Sequence, residues 1–202
     1  MKTTEYVGVV VVIVCMITFV ATPVLSQGKP FATQGVVELA GSVSFASFTQ
    51  VSNGKTGDGT TLFSLGPHIG YFPADGIEIG FDPGVTILPG VSVATPEKGD
   101  AITLMQLFLY PAYNFRIEGS HVTPYIEVPL GYTSMSSGNT TQSGFSWGVK
   151  GGIKVVATGQ MLLTFYGEYL QLTLDPENRS PNASGRYGLN YLSFGISVGG
   201  YF

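Results

Sequence analysis

The sequence predicts an all-β chain, an eight-stranded antiparallel up-and-down transmembrane β-barrel preceded by a signal peptide. Three observations lead there. Eight segments alternate apolar with small or polar residues at the two-residue period of a strand. The connections between them run long, short, long, short, long, short, long, which puts every long loop at one end. Composition agrees: only 11% of the 202 residues are charged, whereas soluble domains carry about 25%. Glycine (28 residues) and the aromatics (13 Phe, 11 Tyr) are abundant, which suits strands and turns rather than a helical bundle.

The chain opens on an apolar run, Val7 to Ala21, broken only by Gly8 and Thr18 and preceded by Lys2. That run is short of the roughly 20 residues a spanning helix needs. With Val24-Leu25-Ser26 at a plausible cut before Gln27, residues 1–26 read as a secretory signal peptide. A retained signal anchor is the alternative, since the flanking charge is weak. The only cysteine, Cys15, lies in this run, so cleavage leaves no disulfide or thiol chemistry. Residues 27–34 read as an irregular lead-in and 35–202 as the barrel.

Strand one, about Gly35 to Phe48, sets Val37, Leu39, Val43 and Phe45 against Glu38, Ser42 and Ser44. The polar stretch TQVSNGKTGDG follows as a long loop. Strand two, about Thr60 to Phe72, sets Phe63, Leu65, Ile69 and Tyr71 against Ser64, Gly66, His68 and Gly70. After the turn Pro73-Ala74-Asp75-Gly76, strand three has the clearest alternation in the chain. There Ile77, Ile79, Phe81, Val85 and Ile87 oppose Glu78, Gly80, Asp82, Gly84 and Thr86. A loop from about Pro89 to Asp100 precedes strand four, about Ile102 to Phe115. Met105, Leu107, Leu109, Tyr113 and Phe115 there oppose Gln106, Tyr110 and Asn114.

A short turn leads to strand five, about Val122 to Thr133, with Val122, Ile126, Val128, Leu130 and Tyr132 opposite Thr123, Tyr125, Glu127 and Gly131. SMSSGNTTQS reads as the third long loop. Strand six, about Gly144 to Val156, sets Phe145, Trp147, Val149, Ile153 and Val155 against Ser146, Gly148, Lys150 and Lys154. Strand seven, about Met161 to Leu174, is apolar on both faces. Glu168 orients it, because a carboxylate toward lipid is costly. The loop DPENRSPNASGR leads to the last strand, Leu189 to Phe202, in which Leu192, Phe194, Ile196 and Val198 alternate with Ser193, Gly195, Ser197 and Gly199. Outward aromatics gather at both ends: Tyr71, Tyr113, Phe115 and Phe202 by the turns, and Phe45, Phe63, Tyr132, Phe145 and Trp147 by the loops. Two such girdles mark membrane interfaces.

An alternating terminal strand that ends on Phe202 resembles the last strand of bacterial outer-membrane barrels. The whole mature chain is similar in pattern to the small eight-stranded barrels of the OmpA/OmpX type. The resemblance implies an outer-membrane location, with the lipid bilayer as the surroundings and recognition of the terminal strand by the barrel-assembly machinery. The soluble alternative is a secreted lipocalin-like binder, in which the apolar face would point inward.

An eight-stranded barrel is just wide enough for side chains to fill it. The expected lumen contains Glu38, Ser42, Ser64, His68, Glu78, Asp82, Gln106, Tyr110, Asn114, Tyr125, Glu127, Lys150, Lys154, Glu168 and Asn190. Depth counted from the turns places Glu127, Lys150 and Glu168 in one carboxylate–ammonium–carboxylate cluster, and brings His68 to Asp82. Such charges must be paired or hydrated. The network either fills the lumen or lines a narrow proton or cation path. Catalysis through Ser64, His68 and Asp82 would need the serine closer than its spacing puts it. His121 reads as a solvated turn residue.

No CxxC, HExxH or phosphate-binding glycine loop is present, so no metal or cofactor is expected. The net charge of −4, with no basic cluster, argues against nucleic acid as a partner. Nothing indicates an oligomer, and a wide porin is disfavoured because general diffusion takes about 16–18 strands. The expected role is structural or interfacial, through a narrow or closed polar lumen and loops rich in Ser, Thr, Asn and Gly.

Overall fold

A computed structural model of the chain describes residues 29–88, 102–137, 140–176 and 187–202. The predicted signal peptide, the loop over 89–100 and most of the last loop lie outside the described residues, as do Asn139, Asn178 and Asn182, each of which opens an Asn-x-Ser/Thr sequon in an expected outer loop. The strands are β1 (Val37–Ser52), β2 (Lys55–Ala74), β3 (Ile77–Leu88) and β4 (Ile102–Asn114). They continue with β5 in two segments (Val122–Glu127 and Leu130–Ser137), β6 (Thr140–Thr158), β7 (Met161–Thr173) and β8 (Gly188–Tyr201). A two-residue piece, Asp175–Pro176, pairs with Ser143 and Gln142 beside β6.

Neighbours are antiparallel throughout, and β1 pairs with β8 from Glu38↔Tyr201 to Val51↔Gly188, which closes the cylinder. Val37 and Phe202 exchange both backbone bonds at the end of that ladder (2.7 and 2.9 Å). The break in β5 falls at Val128-Pro129, where proline supplies no donor. The strand stays attached because Val128 N donates to Pro111 O and Gly148 N donates to Pro129 O, each at 3.0 Å.

Two of the expected long loops are strand instead. β1 and β2 remain paired to Ser52↔Lys55 and turn on Asn53-Gly54, with φ of 48° and 77°. Both central residues have positive φ, as a two-residue type I′ hairpin requires. Similarly, β5 and β6 stay paired to Ser137↔Thr140. Apart from the buried Val51 and Met135, the described side chains of both extensions are polar, so apolar alternation is lost there, although Thr suits a strand well.

The faces separate cleanly. Phe81, Leu107 and Ile153 are 39%, 55% and 40% exposed, while Glu127 and Lys150 are 1% and 9% exposed. The outside is thus a continuous apolar belt, far larger than the patches soluble proteins present to water. Both girdles appear on it, with Tyr71, Tyr113 and Phe115 exposed near the turns and Phe45, Tyr132, Phe145 and Trp147 near the loops. The side chain of Phe63 is outside the described residues.

Two expectations about the interior are corrected. Asn190 shares the outer face with Leu192, because Leu189, Tyr191 and Ser193 take the buried positions around it. The lumen is also not polar throughout. Toward the loop end it is filled by an apolar cluster that includes Phe48, Leu104, Phe108, Met135, Leu170 and Leu172. Strand seven is apolar on both faces for that reason: Leu163 and Phe165 lie on the lipid side, and Leu170 and Leu172 fill the interior.

Candidate functional site

The charged lumen lies between that apolar cluster and the turn end. Its floor is the lead-in, which folds across the barrel mouth. Gly76 N donates to Ala32 O (2.9 Å), Gly35 N to Phe72 O (2.8 Å) and Gln34 N to Asp75 Oδ1 (2.8 Å). These bonds seat Phe31 against Phe72 edge-on and beside Tyr201, at centroid distances of 5.5 and 5.2 Å. Val36 and Leu162 complete a buried cluster. Outside it, Asp75 also accepts from Arg116 Nη1 (2.6 Å). The Gln34 backbone bond, then the bond and charge of Arg116, hold the Asp75 carboxyl below its ordinary value.

Directly above the floor, Lys154 reaches across from β6. Its Nζ donates to Glu38 Oε2 of β1 (2.8 Å) and Glu78 Oε2 of β3 (2.7 Å). It also lies over the rings of Tyr125 (5.0 Å) and Phe31 (5.6 Å). Lys154 and Glu38 are each 2% exposed and Glu78 is fully buried, so these charges are satisfied by one another rather than by water. Asn114 Nδ2 adds a bond to Glu78 Oε2 (2.9 Å).

His68 comes next, between two carboxylates: Nε2 is 3.1 Å from Glu78 Oε1 and Nδ1 is 2.5 Å from Asp82 Oδ1. Opposite, Lys150 pairs with Glu127 (3.0 Å), its cross-strand partner, and stands 3.9 Å from Asp82. The rings of Tyr110 and Tyr166 flank its ammonium at 4.9 and 4.8 Å.

Every residue expected in the charged network is therefore lumenal, and the structure specifies the partners. Glu127 and Lys150 meet, as do His68 and Asp82. Glu168 stands across the rung from Lys150 but makes no ion pair with it. Its oxygens accept from Tyr110 OH and Ser193 Oγ, both at 3.3 Å. The Glu38–Lys154–Glu78 bridge spans three non-adjacent strands, so depth counting between neighbours could not find it. Phe31 was equally invisible, because the lead-in has no periodicity.

Glu38, His68 and Glu78 offer three ligand atoms within 4.8 Å of one another. The Lys154 ammonium already occupies the place a metal ion would take between the two glutamates. Both nitrogens of His68 face carboxylates, so neither is turned to a serine hydroxyl. His121 is exposed at the turn end.

No family model matches the chain, and no curated protein matches it in sequence. Solved structures do match in fold. Neisserial surface protein A (NspA) superposes with a TM-score of 0.64 at 15% identity, over 84% of this chain and all of that one. The outer membrane protein AlkL, solved in lipid bilayers, gives 0.56 at 14% identity over 88% and 94%. OprG from Pseudomonas aeruginosa gives 0.53 at 15% identity over 84% and 95%. At such identities the likeness speaks to fold alone, and the fold is that of the small eight-stranded outer-membrane β-barrels.

Proposed function

We propose that this chain is an integral protein of the bacterial outer membrane with a structural or surface-interaction role, and that its barrel is closed to ions. One observation carries the reading. At the turn end the lumen is crossed by Phe31, Phe72 and Tyr201, with the Lys154–Glu38–Glu78 bridge directly above. An ion on that path would have to break a buried salt bridge and then displace packed aromatic rings. The polar β1–β2 and β5–β6 extensions beyond the belt support a role at the surface, because paired strands hold their shape where free loops do not.

In this reading the signal peptide is removed before Gln27, and the assembly machinery engages β8 through its end at Phe202. The barrel does no catalysis, since the only lumenal histidine is committed on both nitrogens. Neither a cofactor nor nucleic acid takes part. Planar-bilayer recording on the refolded mature chain tests the closed lumen. A silent membrane is expected, and stable open steps that scale with protein added would overturn it.

A further inference from the structure

Seven of the eight seams of this barrel are bonded along the length their strands share; the one between β2 and β3 is not. Its pairs are Ala74↔Ile77, Tyr71↔Ile79, Gly70↔Gly80 and Ile69↔Phe81, and there it stops. Yet β2 extends away to Lys55, paired with β1, and β3 extends to Leu88, paired with β4. Two ordered strands thus part company halfway up the wall.

The cause lies in two prolines. Continued by two residues, the register would set Pro67 opposite Pro83. Val37 spends its backbone groups on Phe202, so by alternation Glu38 and its partner Gly70 face each other across the β1–β2 seam. Residues 69 and 67 of β2 then face β3. On the other side Pro111 O accepts from Val128 N, so Ala112 faces its partner Glu78, and residues 81 and 83 of β3 face β2. The Pro67/Pro83 rung is therefore one in which each residue should donate to the other, and neither has an N–H.

Among the described residues, no side chain on the two lips closes the opening from within. The inward positions on the two lips are Gly66 and Gly84, and a Cβ on either would have its nearest contact at 3.6 Å. The His68–Asp82 pair forms the sill, at the last position before bonding resumes. Behind lies a cavity of about 70 Å³, bordered by Pro67, Pro83 and Gly84 on the seam and by Asp82, Lys150 and Glu168 inside, the Lys150 ammonium already being engaged by Glu127.

Glu168 indicates what the cavity would hold. Among the described residues, Glu38, Glu78, Asp82 and Glu127 each have a lysine or histidine within 4.0 Å. Glu168 has only two hydroxyls at 3.3 Å. The seam outside it is apolar, with Leu65 exposed next to Pro67.

We propose that the β2–β3 seam is a lateral binding site, opening to the bilayer, for a membrane-partitioned primary amine. The ammonium head enters the cavity and pairs with Glu168, while the apolar body stays in the seam between Leu65, Pro67 and Pro83. The volume admits such a head. This goes beyond the closed axial lumen: entry is through the wall, above the seal.

The test is binding of dansylcadaverine, a fluorescent primary amine, to the refolded barrel in detergent micelles, read by anisotropy. Saturable binding is expected, displaced by dodecylamine but not by dodecanol. Gly84→Trp, which fills the opening, and Glu168→Gln should each weaken binding at least tenfold. Phe194→Ala on the distant lipid face should leave it unchanged. Each variant must keep the parent's heat-dependent gel mobility. If Gly84→Trp fails to fold, the double change Pro67→Val with Pro83→Val restores both donors and should weaken binding in its place. Absence of saturable binding, parent-like binding by the seam and Glu168 variants, or equal displacement by dodecanol would overturn the proposal.

Discussion

Replacing Lys154 with Met keeps the side chain's length and removes the charge at the centre of the lumenal bridge. At 2.8 and 2.7 Å, each contact with a glutamate is worth about 6 kcal/mol before desolvation, taking an effective dielectric constant of about 20. Most of that is offset by the cost of burying the three charges. What survives in the substitution is the penalty of stranding buried carboxylates, about 3–5 kcal/mol. The burden falls unequally. Glu78 retains Asn114 at 2.9 Å and His68 at 3.1 Å, whereas Lys154 is the only partner the structure gives Glu38 among the described residues. Removing the Glu38 charge as well, in Lys154→Met with Glu38→Leu, should therefore recover about 2–3 kcal/mol as a coupling energy. The assay is urea unfolding in lipid vesicles, followed by the fluorescence of the single tryptophan and by gel mobility. If Lys154→Met unfolds within about 0.5 kcal/mol of the parent, or the two substitutions simply add, the bridge is not what satisfies these charges.

Phe31→Ala removes the ring that packs on Phe72 and Tyr201; such truncations cost about 3–5 kcal/mol in cores. Because only the short lead-in hangs on that ring, the expected result is rapid proteolysis within residues 29–36 with little change in unfolding of the barrel. At the opposite end, Gly54→Val places a β-branched residue at a φ of 77°. It should cost about 1–2 kcal/mol, measured by the same unfolding assay, with earlier exchange of the β1–β2 tip amides. Asp75 gives a pH signature. Its folded pKa is lowered by Gln34 and Arg116, so its hold on the lead-in is complete above pH about 4 and is lost as pH falls through the folded value. Hydrogen exchange at the Gln34 amide should accelerate over that acid range in the parent. In Asp75→Asn exchange should not depend on pH in this way once corrected for the intrinsic rate.

Where one face meets lipid and the other a polar interior, the sequence spells out the strand: β3 begins at Ile77 as its alternation requires, and His68 finds Asp82 by depth alone. Beyond the belt that contrast vanishes. The stretches TQVSNGKTGDG and SMSSGNTTQS look like loops because nothing there has to be kept from lipid, yet Asn53-Gly54 is itself a hairpin signal. Strand seven is ambiguous in sequence for the opposite reason, since apolar residues serve both the belt and the inner cluster. Asn190 reads inward by its polarity but outward by its parity with Leu192, and the fold follows the parity. The Lys154 bridge and the Phe31 floor depend on the diameter of the cylinder, which adjacent-strand reasoning does not contain. The β2–β3 seam is a different case, since Pro67 and Pro83 are plain in the sequence but acquire meaning only once the register sets them opposite.

Glu38 and Lys154 are 116 positions apart and project from different walls. They can meet only when the first and last strands have already joined. Until that moment a growing sheet must hold both ions hydrated, away from hydrocarbon, and it is spared that obligation all at once on closure. The bridge thus acts as a keystone set last. It gives assembly a downhill final step, and a parting of β1 from β8 that drew Glu38 away from Lys154 would have to rehydrate the buried ions of the bridge together.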